Sequence, residues 1–404
     1  MRQTSDADAE AWVLTTDPGR ALLQEVAMTS TYGPTELQRW RRGATPEHVA
    51  AAVRLAVGRS RGKAKFSRAE AMWFEPVGLE QATTETVARH KAERFRGSHV
   101  LDLCCGIGGD TLALASEAQV VAVDADQGMC RRTRWNAHVY DVADRVDVIR
   151  AQVERIAYRS QSLVHVDPDR RQGSAKRARE LLGYSPGLEF LQALPGRVRG
   201  GAIKLGPASD FVTHFGEQPC ELELISLGGE CKEATVWFGA LATCRRRATR
   251  LPEAVSWTDQ DGPRNPLVPI ASPLAWVYDP DPALGRSGLL DSFAAANGLA
   301  RCAPGIDFLT GPEPIDSPFL ACFEVLEILP LDLKTIGKLV TARKLGPLEI
   351  KTKGTDLRPE ALRAQWKPRG PHPATLLLMG GKGTSRAILA RRRSPAVSQA
   401  QPIA

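Results

Sequence analysis

The chain has 404 residues, 43% of them hydrophobic and 25% charged. That length supports two or three domains with sizeable cores and excludes both a single small module and a wholly unfolded polypeptide. The 53 basic and 46 acidic residues give a net charge of +7, yet Leu331 to Arg393 alone holds 15 Lys/Arg against 4 Asp/Glu, a net +11. Such a stretch is either a solvated basic face or a phosphate-binding surface. No apolar run approaches the ~18 residues of a membrane helix. The polar start MRQTSDADAE lacks the apolar core of a secretory signal. The eight cysteines form no CxxC pair and no paired His/Cys spacing. No disulfide scaffold and no metal site are therefore expected, and a reducing cytoplasm fits.

Residues 1–97 read as helices. Apolar residues recur at three and four positions through Ala21, Leu22 and Val26, and again through Val49, Val53 and Val57. Thr45 before Pro46 predicts a capped helix start, and Thr84-Glu85 opens a helical stretch reaching Phe95. From residue 98 to 250 short apolar runs alternate with helix-like stretches: HVLDLC, VVAVD, VDVIR, LVHVD, AIKLG, LELISLG and ATVWFG. This alternation predicts a parallel, doubly wound α/β sheet. Only Gly-Gly-Glu-Cys-Lys-Glu separates the last two runs, too short for a helix, so they predict an antiparallel hairpin at the sheet edge. Seven strands with the last reversed is the arrangement of class I methyltransferases. Five prolines in 251–273 predict an extended linker. A small basic α/β unit follows over 274–393, and 394–404 reads as a disordered tail.

The stretch His99 to Asp126 carries the strongest chemical signal. A strand ends near Leu103, Gly106, Gly108 and Gly109 make the turn, and a helix starts near Thr111. Glycines let the backbone take positive φ and approach a ligand, and a helix N-terminus favours an anionic group. Thr111 stands where a dinucleotide fingerprint has its third glycine. Asp102 would repel a pyrophosphate but suits the cationic amino group of S-adenosylmethionine. Asp124, ending the next strand, can accept both ribose hydroxyls. S-adenosylmethionine is therefore the expected cofactor, with Asp102, Cys104, Gly106, Gly108, Gly109, Asp124 and Ala125 around it. Gln152, after the third strand, is either the adenine contact or a surface residue.

DLCCGIGGDTLALA with VDAD, WNAHVYDVADRV and VDPDRR resembles a bacterial group of class I methyltransferases with a C-terminal THUMP-like domain. KAKFSRAEAMWF and GLEQATTETVARHKAERF are similar to that group's helical N-terminal domain. LEIKTKGTDLRPEALRAQWKPRGPHPATLLLM is similar to its THUMP-like domain. More distantly, D-x-x-C-G-x-G-G and N-A-x-x-Y-x-V-A-D are similar to trimethylguanosine synthases, which methylate an exocyclic amine of guanine. The resemblance implies a Rossmann-like seven-stranded methyltransferase sheet between an N-terminal helical domain and a small THUMP-like domain. It also implies methylation of RNA, tRNA or rRNA.

Function in a parallel sheet collects at the carboxyl ends of the strands. The fourth strand ends in Val166-Asp167-Pro168-Asp169-Arg170-Arg171. Amino-methyltransferases keep [DNS]-P-P-[YFW] there. Asp167-Pro168 is retained, whereas Asp169 and Arg170 replace the second proline and the aromatic residue. Asp167 is the expected catalytic or substrate-orienting group. Tyr184 is a candidate stacking face, and Arg170 and Arg171 a candidate bidentate anion clamp. Lys204, a further catalytic candidate, lies in the apolar fifth strand and is either paired or snorkelling. Glu230, Lys232 and Glu233, in the turn after the sixth strand, are either rim groups that orient substrate or accept a proton, with Glu230 the catalytic candidate, or a self-balanced charge cluster. Trp366 among Lys367 and Arg369 is either a base-stacking residue or a helix anchor. The leading expectation is an RNA nucleobase methyltransferase. A small-molecule methyltransferase and a non-catalytic RNA-binding protein are the alternatives.

Overall fold

The computed structural model describes residues 6–29, 31–170, 183–215, 218–381 and 385–393. The chain forms two compact units, Met1–Cys220 with Thr235–Ala242, and Glu221–Ala234 with Thr243–Ala404.

The first unit opens with six helices, α1 (Asp6–Thr15), α2 (Asp17–Ala27), α3 (Pro34–Trp40), α4 (Pro46–Gly62), α5 (Pro76–Gln81) and α6 (Glu85–Ala92). The Thr45 hydroxyl accepts from His48 N and caps α4, as Thr45-Pro46 predicts. The apolar stripes of α1, α2 and α4 meet in a core of Val13, Leu22, Leu23, Val26, Val49 and Leu55.

Expected to form a domain of their own, these helices share a unit with the sheet that follows. Buried polar bonds hold them there. Glu10 on α1 accepts from Trp73 Nε1 at 2.7 Å and pairs with Arg132 at 2.5 Å. Asn136 accepts from Trp73 N at 2.7 Å and donates to Trp73 O and Ile107 O at 3.1 and 2.8 Å. The Asn of the WNAHVY motif is therefore a staple between the helical segment and the glycine loop.

The sheet of this unit begins with β1 (His99–Leu103), α7 (Gly109–Glu117), β2 (Gln119–Asp124), α8 (Gln127–Val139), β3 (Val146–Arg150) and β4 (Leu163–Val166). The short pair β5 (Asp169–Arg170) and β6 (Tyr184–Ser185) follows, then α9 (Leu188–Ala193), β7 (Gly200–Leu205) and α10 (Phe211–Phe215). Next along the chain come β8 (Cys220–Leu227), which from Glu221 on belongs to the second unit, and β9 (Glu230–Gly239), which belongs to the first unit from Thr235 on. Strand order is β3-β2-β1-β4-β7-β9. The pairs among β3, β2, β1, β4 and β7 are parallel. The order in which strands are added reverses between β1 and β4, so the carboxyl ends of β1, β2 and β4 frame a crevice.

In the second unit, Gly228 and Gly229 take positive φ and join β8 to β9 in a tight hairpin. The hairpin does not end the sheet, contrary to expectation. The outer edge of β8 is covered by β10 (Arg246–Leu251) in parallel, and β11 (Val255–Thr258) pairs antiparallel with β10. The front of the proline-rich stretch is thus a strand, because its prolines leave Val255–Thr258 uninterrupted.

The elements β12 (Trp276–Pro280), α11 (Pro282–Ser287), α12 (Leu290–Ala296), β13 (Ala300–Arg301), β14 (Leu309–Gly311) and β15 (Leu320–Pro330) follow. The unit closes with α13 (Leu333–Ala342), β16 (Leu345–Lys353), α14 (Pro359–Trp366), β17 (His372–Met379) and β18 (Arg386–Arg392). They form a seven-stranded sheet ordered β13-β14-β12-β15-β18-β17-β16. Trp366 packs partly buried against the Ile336–Leu362 core, with its ring 3.0 Å from where a Cβ on Gly337 would stand. It anchors α14 to α13. The stretch 394–404, expected as a tail, lies outside the described residues.

Candidate active site

A cavity of about 230 Å³ opens at the carboxyl ends of β1, β2 and β4. Its floor is the loop from β1 to α7. Gly106 and Gly108 have φ of 55° and 92°, and Cys104 has φ 61°. A Cβ on Gly106 would meet nothing within 4 Å, so the backbone lies bare towards a ligand. Gly109 is glycine for a different reason. A Cβ there would stand 3.3 Å from Ala82 and 3.5 Å from Thr83.

Asp124, at the end of β2, accepts from Gly106 N at 2.9 Å and Asp126 N at 2.8 Å. Burial pushes its carboxyl up, and those two backbone bonds oppose the rise. Asp126 caps α8 by accepting from Met129 N at 2.8 Å. Asp102 is buried on β1. Its Oδ2 accepts from the Thr111 hydroxyl at 2.5 Å, and its Oδ1 lies 2.8 Å from His165 Nδ1. Burial pushes the Cys104 thiol far up, reinforced by Asp124, Asp167 and Asp102, so it is a neutral thiol.

From Asp102 a chain of buried polar groups runs under the crevice. His165 Nε2 lies 3.4 Å from Lys91 Nζ, which pairs with Asp110 Oδ1 at 2.8 Å. An ammonium only donates, so Nε2 accepts and Nδ1 carries the proton given to Asp102. Asp110 also accepts from the Thr83 hydroxyl at 2.7 Å. Against the cost of burial, Lys91 and Lys204 hold its carboxyl well below the ordinary range. Lys204 Nζ lies 3.9 Å from Asp110 Oδ2 and 2.6 Å from Asp167 Oδ2, and donates to Gln81 O at 3.2 Å. Burial lifts the Asp167 carboxyl, Lys204 opposes this, and Asp110 adds to it. Lys204 is thus paired and not snorkelling.

The remaining wall comes from the helical segment. Val77, Gly78, Gln81, Ala82 and Thr83 line the cavity. Glu75 caps α5 by accepting from Gly78 N at 2.7 Å. Lys65 Nζ donates to the carbonyls of Leu79, Glu80 and Ala82 at 2.9, 2.7 and 2.8 Å, fixing the other end.

Asp102, Cys104, Gly106, Gly109, Asp124, Asp167 and Pro168 all line this cavity, and Lys204 bonds to it. Gly108 lies just behind as the left-handed cap of α7. Ala125 and Gln152 are not in the lining, though Ala151 N bonds Asp124 O at 3.0 Å, so β3 ends beside Asp124. Tyr184 is a correction. Its ring is buried and its hydroxyl bonds to Ser209 Oγ at 2.9 Å and Gly206 N at 3.2 Å. A ring sealed against β7's exit loop offers no stacking face. Glu230, Lys232 and Glu233 belong to the second unit and line no part of the cavity. Glu230 is exposed and paired with Lys232, whereas Glu233 is buried. The backbone of Arg170 pairs with Tyr184 in the β5–β6 ladder. Arg171 lies outside the described residues.

Lys91, His165, Asp110, Thr83 and Gln81 were not singled out from the sequence. A signal existed for two of them, since His165 interrupts the apolar run LVHV and Asp110 follows the glycines into the helix. Nothing local marks Lys91 or Gln81.

Among the described residues, six aspartates and no arginine or lysine line the cavity. Such a wall repels a pyrophosphate and accepts a ribose diol together with a cationic amino acid end, which is the donor and acceptor pattern of S-adenosylmethionine. A parallel sheet of this order bearing this site is that of an S-adenosylmethionine-dependent methyltransferase. The chain is 33% identical over 311 residues to an uncharacterized S-adenosylmethionine-dependent methyltransferase of Mycobacterium tuberculosis, in strains H37Rv and CDC 1551, covering 76% of this chain and 84% of the relative. It belongs to that family. Residues 320–392 match the THUMP domain-like family, and residues 97–170 match the RNA cap guanine-N2 methyltransferase family. A crystal structure from Porphyromonas gingivalis W83 described as a methyltransferase superposes with TM-score 0.74 at 21% identity, covering 95% of this chain and 99% of the other. The shared fold therefore spans both units.

Proposed function

We propose that the protein methylates a nucleobase nitrogen in RNA, tRNA or rRNA, in the cytoplasm. The observation that carries this reading is the match of residues 97–170 to an RNA guanine-N2 methyltransferase family. That segment holds both the cofactor loop and the Asp167-Pro168 turn. The basic second unit supports it. Lys334 and Lys338 on α13, Arg358 before α14, and Lys367 and Arg369 after it are exposed and form no ion pair among the described residues. Exposed cations without carboxylate partners suit phosphate, the dominant and salt-sensitive part of RNA affinity.

The bound cofactor supplies an electrophilic methyl on a sulfonium, so the protein has to align an acceptor and exclude water. Asp124 would receive the ribose hydroxyls of the cofactor and Asp102 would face its amino acid end. Cys104, Gly106 and Gly109 form the floor, and Asp167 holds the acceptor from the opposite wall. Lys204 fixes Asp167 through Oδ2, leaving Oδ1 without a hydrogen bond among the described residues. That oxygen accepts an N–H of the base.

Radiolabelled S-adenosylmethionine incubated with total RNA from a strain lacking this gene, and in parallel with its small-molecule extract, tests the reading. Label in a discrete RNA band, absent with Asp124→Ala, is expected. Label confined to the extract would replace RNA by a small-molecule acceptor.

A further inference from the structure

Asp169 stands where amino-methyltransferases keep their second proline. In this chain its Oδ1 accepts from Gln81 Nε2 at 2.9 Å. A carboxylate at neutral pH only accepts, so this bond decides which way the Gln81 amide faces: nitrogen to Asp169, oxygen to the other side. Gln81 and Asp169 both line the cavity, and Gln81 Oε1 has no hydrogen bond among the described residues. The same residue's backbone carbonyl receives Lys204 Nζ, which also pairs with Asp167 Oδ2. One ammonium thus ties Gln81 and Asp167 together, and among the described residues each keeps one side-chain oxygen without a hydrogen bond. The Gln81 backbone is fixed from behind by the three carbonyl bonds of Lys65 to Leu79, Glu80 and Ala82.

We propose that Gln81 is the second acceptor-orienting residue of the methyl-transfer site, placed beside Asp167 to hold the exocyclic primary amine to which the guanine-N2 family match points. This rests on the nucleobase reading above. A primary amine has two N–H bonds. One is donated to Asp167 Oδ1 and the other to Gln81 Oε1, which leaves the nitrogen lone pair directed at the methyl. A ring nitrogen bearing no N–H satisfies neither oxygen, and desolvating two unpaired acceptors disfavours it. In the transfer, the lone pair forms the N–C bond, and the C–S bond breaks with its electron pair onto sulfur. The nitrogen, now positively charged, gives one proton to Asp167 Oδ1, which passes it to water. The substitution of Asp169 for the second proline is then functional, because its side chain acts through Gln81.

The test combines two variants. Gln81→Met keeps the length of the side chain and removes donor and acceptor. Asp169→Ala frees the amide to rotate. Initial rates of label transfer from S-adenosylmethionine to total RNA of the gene-lacking strain are measured with S-adenosylhomocysteine affinity by calorimetry. Gln81→Met is expected to lower kcat/KM for RNA by about 10- to 100-fold, with the S-adenosylhomocysteine Kd changed by less than about 3-fold. Asp169→Ala should cost less, and the double variant should be no worse than Gln81→Met alone, since positions acting through one another do not add. Nucleoside analysis of the labelled RNA should show an N-methylated exocyclic amine. Wild-type rates in Gln81→Met, or fully additive losses in the double variant, overturn the assignment. So does a Gln81→Met protein whose cofactor affinity falls in step with its rate, because the residue would then be supporting the fold. Wild-type enzyme that labels no RNA overturns the nucleobase reading and this assignment with it, a failure visible without any variant.

Discussion

Lys204 Nζ lies 2.6 Å from Asp167 Oδ2 at the end of β4 and 3.2 Å from the carbonyl of Gln81 at the end of α5. One strand of the sheet therefore holds both a carboxylate of the D-P turn and the wall contributed by the helical segment. Lys204 is buried in a six-residue strand without an exposed residue, and Asp167 with the more distant Asp110 gives its charge a reason to be there.

Replacing Lys204 by Met is expected to lower kcat/KM by at least about 10-fold through loss of a charge-assisted hydrogen bond. The pH profile should move as well. Asp167 must be ionised to accept, and burial already lifts it while Lys204 holds it down. Without the ammonium its proton is bound more tightly, so the acidic limb of kcat/KM moves to higher pH. A limb that stays in place, measured by label transfer across pH, would mean that Asp167 is not the titrating group.

Asp124→Ala should weaken S-adenosylmethionine by about 10- to 100-fold, read by calorimetry, through loss of charge-assisted bonds to the ribose diol. Part of this loss comes from the loop, since Gly106 N and Asp126 N also lose their acceptor. Asp124→Asn, which keeps one acceptor oxygen, should recover part of the affinity.

Lys91→Met leaves Asp110 buried beside one fewer cation and is expected to destabilise the protein by about 3–5 kcal/mol at neutral pH. The sign with pH follows from the depressed Asp110 carboxyl. Its stabilisation is fully present above the ordinary carboxylate pKa of about 3.9 and is lost as pH falls through the lower folded value. Chemical denaturation should show the gap between variant and wild type largest near neutrality and closing below about pH 4.

Cys104 occupies a left-handed conformation, φ 61°, which costs an L-residue roughly 1–2 kcal/mol. Cys104→Gly removes that cost, and the extra freedom of glycine in the unfolded chain returns about 0.5–1 kcal/mol of it. A small rise in denaturation midpoint is expected. A fall would show that the thiol contributes packing to the cavity floor that outweighs the backbone.

Lys334→Glu with Lys338→Glu on α13 should weaken RNA binding and flatten the slope of log K against log salt by about 1 for each phosphate that the helix no longer neutralises, while S-adenosylhomocysteine affinity stays unchanged. An unaltered salt slope would remove this helix from the RNA surface.

Much of this protein was legible locally. The alternation of HVLDLC, VVAVD, VDVIR and LVHVD predicts the parallel strands because period and length are properties of adjacent residues. The helix start at Thr45-Pro46 and the glycine turn before α7 were legible for the same reason. Asp102 and Asp124 could be placed from the strand-turn-helix spacing alone. The β8–β9 hairpin was also legible, but its position at a sheet edge was not. Whether β10 covers β8 depends on residues more than 20 positions apart choosing each other.

Tertiary structure decided the rest. Tyr184 is buried because its hydroxyl finds Ser209 and Gly206 N, partners that no spacing rule announces. Lys91 and Gln81 sit on helices whose composition says only that they are polar. They become part of the site because Trp73, held by Asn136 and Glu10, draws the helical segment against the glycine loop. Residue types and their periodicity therefore determined the sheet, the cofactor loop and the kind of cofactor. The closing wall and the buried line from Asp102 to Asp167 were settled by long-range packing, which brings together charges that are too costly to bury apart.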